Sequence, residues 1–125
     1  MQRSKVTIET DADGNGIGYV GIVNGVDNGR LLAIRYVKDS YEDGIDIVVT
    51  GTVSGIEILT LADMNATITK YPRATANNVT DGSDALYAGQ GQPIKVLVPI
   101  VGEGIKIVVS SGGNTKSGSF YVWIG

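Results

Sequence analysis

The sequence contains neither cysteine nor histidine, and these two absences remove much of the chemistry on which enzyme sites depend. Without cysteine there is no disulfide, no thiolate metal site and no thiol nucleophile. Without histidine the chain lacks the commonest general base and the commonest metal ligand, and no Ser–His–Asp triad can form. We therefore expect a protein that is not an enzyme and has no catalytic, cofactor-binding or metal-binding residues.

Long apolar segments and clusters of positive charge are also missing. The uninterrupted apolar stretches, such as residues 96–98, are far shorter than the ~20 residues that cross a bilayer, so no membrane partner is expected. The 10 lysines and arginines are scattered along the chain, and the formal net charge is -3. Phosphate neutralisation requires a basic patch, so nucleic acid is not an expected partner either.

The residues that are abundant indicate β-structure. Glycine occurs at 18 positions, and valine and isoleucine dominate the apolar residues. Glycine favours turns and β-branched residues favour strands. Alternating apolar and polar residues recur roughly every ten residues between turn signals. We predict one all-β domain over residues 1–125, an antiparallel, jelly-roll-like β-sandwich of about eight strands. A barrel is the alternative, because it shares the same alternation and turns.

The end of the chain predicts three consecutive strands. Residues 94–98 and 105–110 are expected to form a strand pair, and the Gly/Ser/Asn-rich residues 111–117 are expected to form a hairpin connection to the last strand. That strand is rich in aromatic residues, so leaving it unpaired would expose a large apolar area. We therefore expect it to be paired inside a sheet.

The last strand has two chemically different faces. Phe120, Val122 and Ile124 alternate with Tyr121 and Trp123, so the two sets point to opposite sides of the sheet. One set is expected to fill the core. The other set must be covered by a second layer or by a partner, because exposed aromatic pairs promote association.

A second candidate contact lies at Tyr71 and Arg73. Pro72 between them fixes a turn after the predicted strand and before the long polar segment 74–91. Tyrosine and arginine are enriched where proteins bind each other, so an interface anchor and a structural turn are equally good interpretations. The candidate partner-binding residues are therefore Tyr71, Arg73, Tyr121 and Trp123.

Two short motifs resemble ligand sites but have the wrong context. Residues 11–16, DADGNG, match the first half of a calcium loop, yet Ile22 stands where a bidentate glutamate is required. We interpret this segment as a turn. Gly16, Gly18 and Gly21 spell G-x-G-x-x-G, but no helix can follow to hold a pyrophosphate. These glycines are expected to permit a bulge or a close approach of strands.

Paired carboxylates are the one catalytic arrangement that the composition allows. Asp46 and Glu57 both lie on predicted strands among apolar neighbours. A small hydrolase could use such a pair as acid and base or nucleophile. The alternative interpretation is that both residues occupy solvated outward positions.

Segments spread over nearly the whole chain carry a resemblance to a known family. They are, in order, KVTIET from Lys5, GRLLAIRYVK from Gly29, GIDIVVTG from Gly44, YPR from Tyr71, DALYA from Asp84 and IKIVVSSGGNTKSGSF from Ile105. In this order they resemble small virion proteins of tailed bacteriophages, which are similar to capsid decoration, or cement, proteins.

This resemblance implies a virion structural protein that binds the major capsid protein on the capsid exterior after synthesis in the bacterial host cytoplasm. Assembly by symmetry would make it a homo-oligomer, with a trimer favoured. The alternative function is a carbohydrate- or receptor-binding module of a phage tail or fibre. Exposed aromatics beside a carboxylate, such as Tyr121, Trp123 and Asp84, would serve that role.

Overall fold

The structure is a computed structural model that describes residues 2–20, 28–75, 95–101 and 104–125. Every regular element in these ranges is a β-strand, and none of their residues forms a helix that could span a membrane. The strands are β1 (Gln2–Glu9), β2 (Gly16–Val20), β3 (Asn28–Val37), β4 (Ile45–Gly51), β5 (Glu57–Met64), β6 (Ile68–Lys70), β7 (Arg73–Thr75), β8 (Lys95–Val101), β9 (Ile105–Ser110) and β10 (Ser117–Ile124).

The described strands form two antiparallel sheets that do not close into a barrel. A six-stranded sheet has the order β1-β10-β3-β8-β7, with β6 also paired to β3, and a four-stranded sheet has the order β2-β9-β4-β5. Apart from the short strands β6 and β7, the pairs are nested along the chain: β1 with β10, β2 with β9, β3 with β8, and β4 with β5. This is the strand order of a jelly roll. The predicted antiparallel sandwich is therefore confirmed.

The core lies between the two sheets and follows the alternation of the strands. In the four-stranded sheet, every second residue of β4 and β9 is buried. Removing each such side chain from water contributes about 1.5–3 kcal/mol, so these strands hold the layers together. The fully buried side chains are Leu31, Tyr36, Ile45, Ile47, Val49, Ile100, Ile105, Ile107, Val109, Phe120 and Val122.

Two predicted pairings near the end of the chain are wrong. β8 belongs to the six-stranded sheet and β9 to the four-stranded sheet, so these strands do not pair. Residues 111–117 likewise form no hairpin, because they carry the chain from β9 across to β10 in the opposite sheet. Turn residues show where the chain reverses, but they do not show in which sheet the next strand lies.

The glycines at the start of β2 allow the two sheets to approach each other closely. A Cβ atom at Gly18 would lie 2.6 Å from Cγ1 of Ile8, and one at Gly16 would lie 2.7 Å from Cγ2 of the same residue. Any larger residue would collide with the buried Ile8 side chain of β1. The expectation that these glycines permit close strand approach is confirmed, whereas Gly21 lies outside the described residues.

Candidate functional site

The aromatic last strand, β10, lies between β1 and β3 in the six-stranded sheet. Phe120 and Val122 are fully buried in the core, as expected for one of the two alternating sets. Tyr121 and Trp123 face outward and remain half-buried, with ring centroids 6.2 Å apart. The described strands of the second sheet cover only the opposite side of β10. Among the described residues, the outer face of this sheet thus carries a half-buried aromatic pair.

Tyr71 and Arg73 join this aromatic pair. Both residues line the same shallow depression as Trp123, although they precede it by about fifty residues in sequence. The depression has a volume of about 390 Å³ and is lined by Leu32, Ala33, Thr69, Tyr71, Arg73 and Trp123. Tyr121 adjoins it through its ring contact with Trp123. The structure therefore brings all four candidate partner-binding residues of the sequence onto one face.

A bulge in β3 helps to hold Arg73 at this depression. Trp123 is paired with Ala33 and Ile124 with Leu31, which leaves Leu32 as an extra residue without a partner on β10. The Leu32 carbonyl accepts a hydrogen bond of 3.2 Å from Nη1 of Arg73. The same nitrogen donates to the Pro72 carbonyl at 2.7 Å. These bonds orient the guanidinium, and bulges are a common way to adjust such positions.

Three further cations on the same face were not predicted from the sequence. Lys5 of β1 and Arg35 of β3 flank Tyr121 in one cross-strand row, and Arg3 is paired with Trp123 in the next row. Arg3 and Lys5 lie over the Tyr121 ring, 5.3 and 5.6 Å from its centroid, within the range of cation–π attraction. Nη1 of Arg35 donates to Oγ1 of Thr69 at 3.0 Å.

Two of these cations, Arg3 and Arg35, border a second depression next to the first. It has a volume of about 310 Å³ and is lined by Arg3, Arg35, Val37, Tyr121 and Trp123. Trp123 lines both depressions, so its side chain lies between a mainly apolar hollow and a basic one. We call the whole surface the basic face, and define it by Arg3, Lys5, Arg35, Tyr71, Arg73, Tyr121 and Trp123.

The outer face of the four-stranded sheet provides a comparison with the basic face. It exposes Ile17 and Tyr19 of β2, which are 55% and 63% accessible. Tyr19 is paired with Lys106 of β9, so this face also offers one aromatic residue beside one cation. It therefore supplies matched control positions for the basic face.

Asp46 and Glu57 do not form a catalytic pair. Glu57 is paired with Thr50, which lies four residues from Asp46 along β4. At the rise of an extended strand this register separates their backbone positions by about 13 Å along the strand direction. Glycosidase pairs are separated by about 5–9.5 Å. Oδ1 of Asp46 instead accepts the Asp63 amide at 3.0 Å, so the two residues lack the arrangement that the hydrolase hypothesis requires.

The calcium-like segment is a turn whose first carboxylate is occupied by the backbone. Oδ1 of Asp11 accepts the amide of Asp13 at 2.9 Å and that of Asn15 at 3.0 Å. Gly14 has a φ of 85°, which glycine adopts without strain. No cluster of three or more potential metal-ligating side chains occurs within the ranges that the structure describes.

Tyr36 and Tyr41 are buried in the core, on the inner side of the six-stranded sheet whose outer side is the basic face. Oη of Tyr41 donates to the Ile8 carbonyl at 2.5 Å, whereas Oη of Tyr36 has no hydrogen-bond partner among the described residues. Burial, reinforced by the negative charges of Asp43 and Asp39, raises the pKa of Tyr36 to about 12. Burial also raises the pKa of Tyr41. Both hydroxyls therefore remain protonated at neutral pH.

Comparison with known proteins gives no further assignment. No protein-family model, no curated protein and no solved structure matches the chain.

Proposed function

We propose that the protein is a virion structural protein that decorates the capsid exterior and binds the major capsid protein through the basic face. The observation that carries this proposal is the convergence of Tyr71, Arg73 and Trp123 on one depression. Tyrosine, tryptophan and arginine are the residues that dominate binding energy at protein interfaces. Arg73 and Trp123 lie on strands of the six-stranded sheet, and Tyr71 lies just before β7, which supports a docking role for this surface.

The fold is compatible with this proposal but does not distinguish it from other functions. Jelly rolls occur in viral capsid proteins and also in lectins. One fold supports many functions, so the support for this proposal comes from the surface and from the sequence resemblance to phage virion proteins. The proposal assigns no reaction, no cofactor, no membrane and no nucleic acid to the chain.

A symmetric shell also favours a symmetric partner. Soluble oligomers are mostly closed and symmetric, so a homo-oligomer, with a trimer favoured, would match repeated sites on a capsid. Analytical ultracentrifugation of the purified protein tests this part of the proposal. A monomer at all concentrations would contradict it without affecting the choice of docking face.

Co-sedimentation tests the main proposal. The purified protein is mixed with capsids of its own phage that lack it, and the pellet is assayed in native and cross-linked preparations. We expect the wild type to pellet with the shell and Trp123→Ala to bind on the order of tenfold more weakly. Tyr19→Ala, on the four-stranded sheet, should bind like the wild type. Absence of the wild type from both pellets would overturn the proposal.

A carbohydrate- or receptor-binding module remains the second candidate. It is favoured by the depression at Trp123, in which Tyr71 and Trp123 offer aromatic surface beside the donors of Arg73. Asp84, the carboxylate considered for this role, lies outside the described residues. A glycan array probed with the wild type and with Trp123→Ala tests it. Binding that requires Trp123 would support this candidate, and an array without signals would remove it.

A further inference from the structure

The basic face has a charge opposite to that of the whole chain. The formal net charge is -3, yet the central rows of this face carry Arg3, Lys5 and Arg35, and Arg73 lies at the adjoining depression. Within the described ranges, no carboxylate lies within ion-pair distance of any of these four cations. Such a concentration of positive charge attracts an acidic partner and repels a basic one.

The two depressions also indicate which side chains a partner would place in them. The hollow between Trp123 and Tyr71 has the small side chain of Ala33 opposite Trp123, and this leaves room for a bulky apolar group. The hollow on the other side of Trp123 is bordered by Arg3 and Arg35, which suit carboxylates. An occupant that fills both must carry an apolar side chain close to acidic ones.

The two cations over the ring of Tyr121 favour a peptide over a single-stranded nucleic acid as the partner. Proteins that bind single strands stack successive bases on exposed aromatic rings. Here Arg3 and Lys5 already lie over the ring of Tyr121. Base stacking there would require both cations to move, whereas carboxylates can bind these cations where they are.

We infer that the basic face binds an acidic peptide segment that carries one bulky apolar side chain, seated between Trp123 and Tyr71. This inference rests on the proposed function, because the segment would belong to the major capsid protein. It deepens that proposal by naming the chemistry of the contact. Phosphate-rich partners, represented by single-stranded DNA, are the competing outcome.

A direct binding experiment uses defined probes. Fluorescence anisotropy is measured with a short fluorescein-labelled peptide of glutamates around a central leucine. Matched peptides carry serine in place of leucine, or glutamines in place of the glutamates, and a labelled oligothymidine serves as the nucleic-acid probe. We expect the acidic leucine peptide to bind most tightly, and its affinity to fall as salt is added, because charges on an exposed face are screened.

Variants locate the site. Arg3→Glu and Arg35→Glu should each weaken peptide binding on the order of tenfold, because each replaces an attractive charge by a repulsive one. Trp123→Ala should remove the preference for leucine over serine. Lys106→Glu makes the same charge change on the four-stranded sheet and should bind like the wild type. Circular dichroism establishes that each variant is folded.

The outcomes separate this inference from the proposed function. If capsids bind the wild type and the Arg3→Glu and Arg35→Glu variants equally at low and high salt, the acidic-segment inference is overturned while decoration stands. If the peptide binds as described but capsids do not, the inference stands and the capsid assignment fails. Tighter binding of oligothymidine than of the acidic leucine peptide, or equal binding of all peptides, overturns the inference.

Discussion

Tyr36 and Tyr41 stack with ring centroids 6.1 Å apart, but their hydroxyl groups differ. Within the described part of the chain, the Tyr41 hydroxyl has a hydrogen-bond partner and the Tyr36 hydroxyl has none. Tyr41→Phe removes the bond to the Ile8 carbonyl and should lower the free energy of unfolding by about 1–2 kcal/mol. Tyr36→Phe removes an unpaired buried hydroxyl and should leave stability unchanged or raise it by up to about 1 kcal/mol. Urea denaturation measures both. Equal destabilisation by the two substitutions would contradict this account.

The raised pKa of Tyr36 predicts a loss of stability in alkali. In the unfolded chain Tyr36 loses its proton near pH 10, whereas in the folded protein its pKa is about 12. Above pH 10 the unfolded state therefore binds fewer protons, and the free energy of unfolding falls as pH rises towards 12. Below pH 10 the effect is absent.

Urea denaturation at a series of alkaline pH values measures this slope. Tyr36→Phe should make the decline between pH 10 and 12 shallower than in the wild type, because it removes one of the two buried phenols. An identical slope in the variant would show that Tyr36 does not carry the effect.

Gly18 and Ile8 should be energetically coupled across the two sheets. Gly18→Ala places a methyl group against the Ile8 side chain and should destabilise the protein by about 1–3 kcal/mol. Ile8→Ala leaves a cavity and should cost about 2–5 kcal/mol. In the double variant the new methyl occupies part of that cavity. The summed destabilisation of the two single variants should therefore exceed the destabilisation measured for the double variant. Simple additivity in this double-mutant cycle would rule out the contact.

Neighbouring residues of β10 should affect different properties. Phe120 is fully buried, so Phe120→Ala should cost about 3–5 kcal/mol in thermal or urea unfolding. Tyr121 faces outward, so Tyr121→Ala should retain the fold while weakening partner binding. The assignment of the two faces fails if Tyr121→Ala is the more destabilising of the two.

The sequence allowed the sandwich to be predicted because alternation is local. Phe120, Val122 and Ile124 are buried as their spacing requires, and β4 and β9 follow the same rule. The partners of β9 and of β10 could not be predicted from the sequence, because each strand pairs with strands from the first half of the chain. Such long-range pairing depends on how the whole chain wraps, and no single turn encodes it.

The candidate site could be predicted only in part, because residue types are local but their convergence depends on long-range pairing. Tyr71, Arg73, Tyr121 and Trp123 were identified by residue type, but their convergence requires the bulge at Leu32 and the placement of β7 beside β8. Arg3, Lys5 and Arg35 form no run of positive charge in the sequence, so their shared face was not predicted. On a strand, residues that share a face are separated by one inward residue, so the alternation of Arg3 and Lys5 on β1 indicates a shared face, whereas Arg35 joins them only through the pairing of β3 with β10.

The account depends on the basic face being the surface that meets the capsid. Oxidative footprinting with mass spectrometry tests this directly, by comparing the labelling of the chain free and bound to capsids. Trp123 is the only tryptophan, so its modification is unambiguous. We expect Trp123 and Tyr71 to be protected on the capsid, while Tyr19 on the four-stranded sheet stays as reactive as in the free protein. Protection of Tyr19 with unchanged labelling of Trp123 would contradict the account.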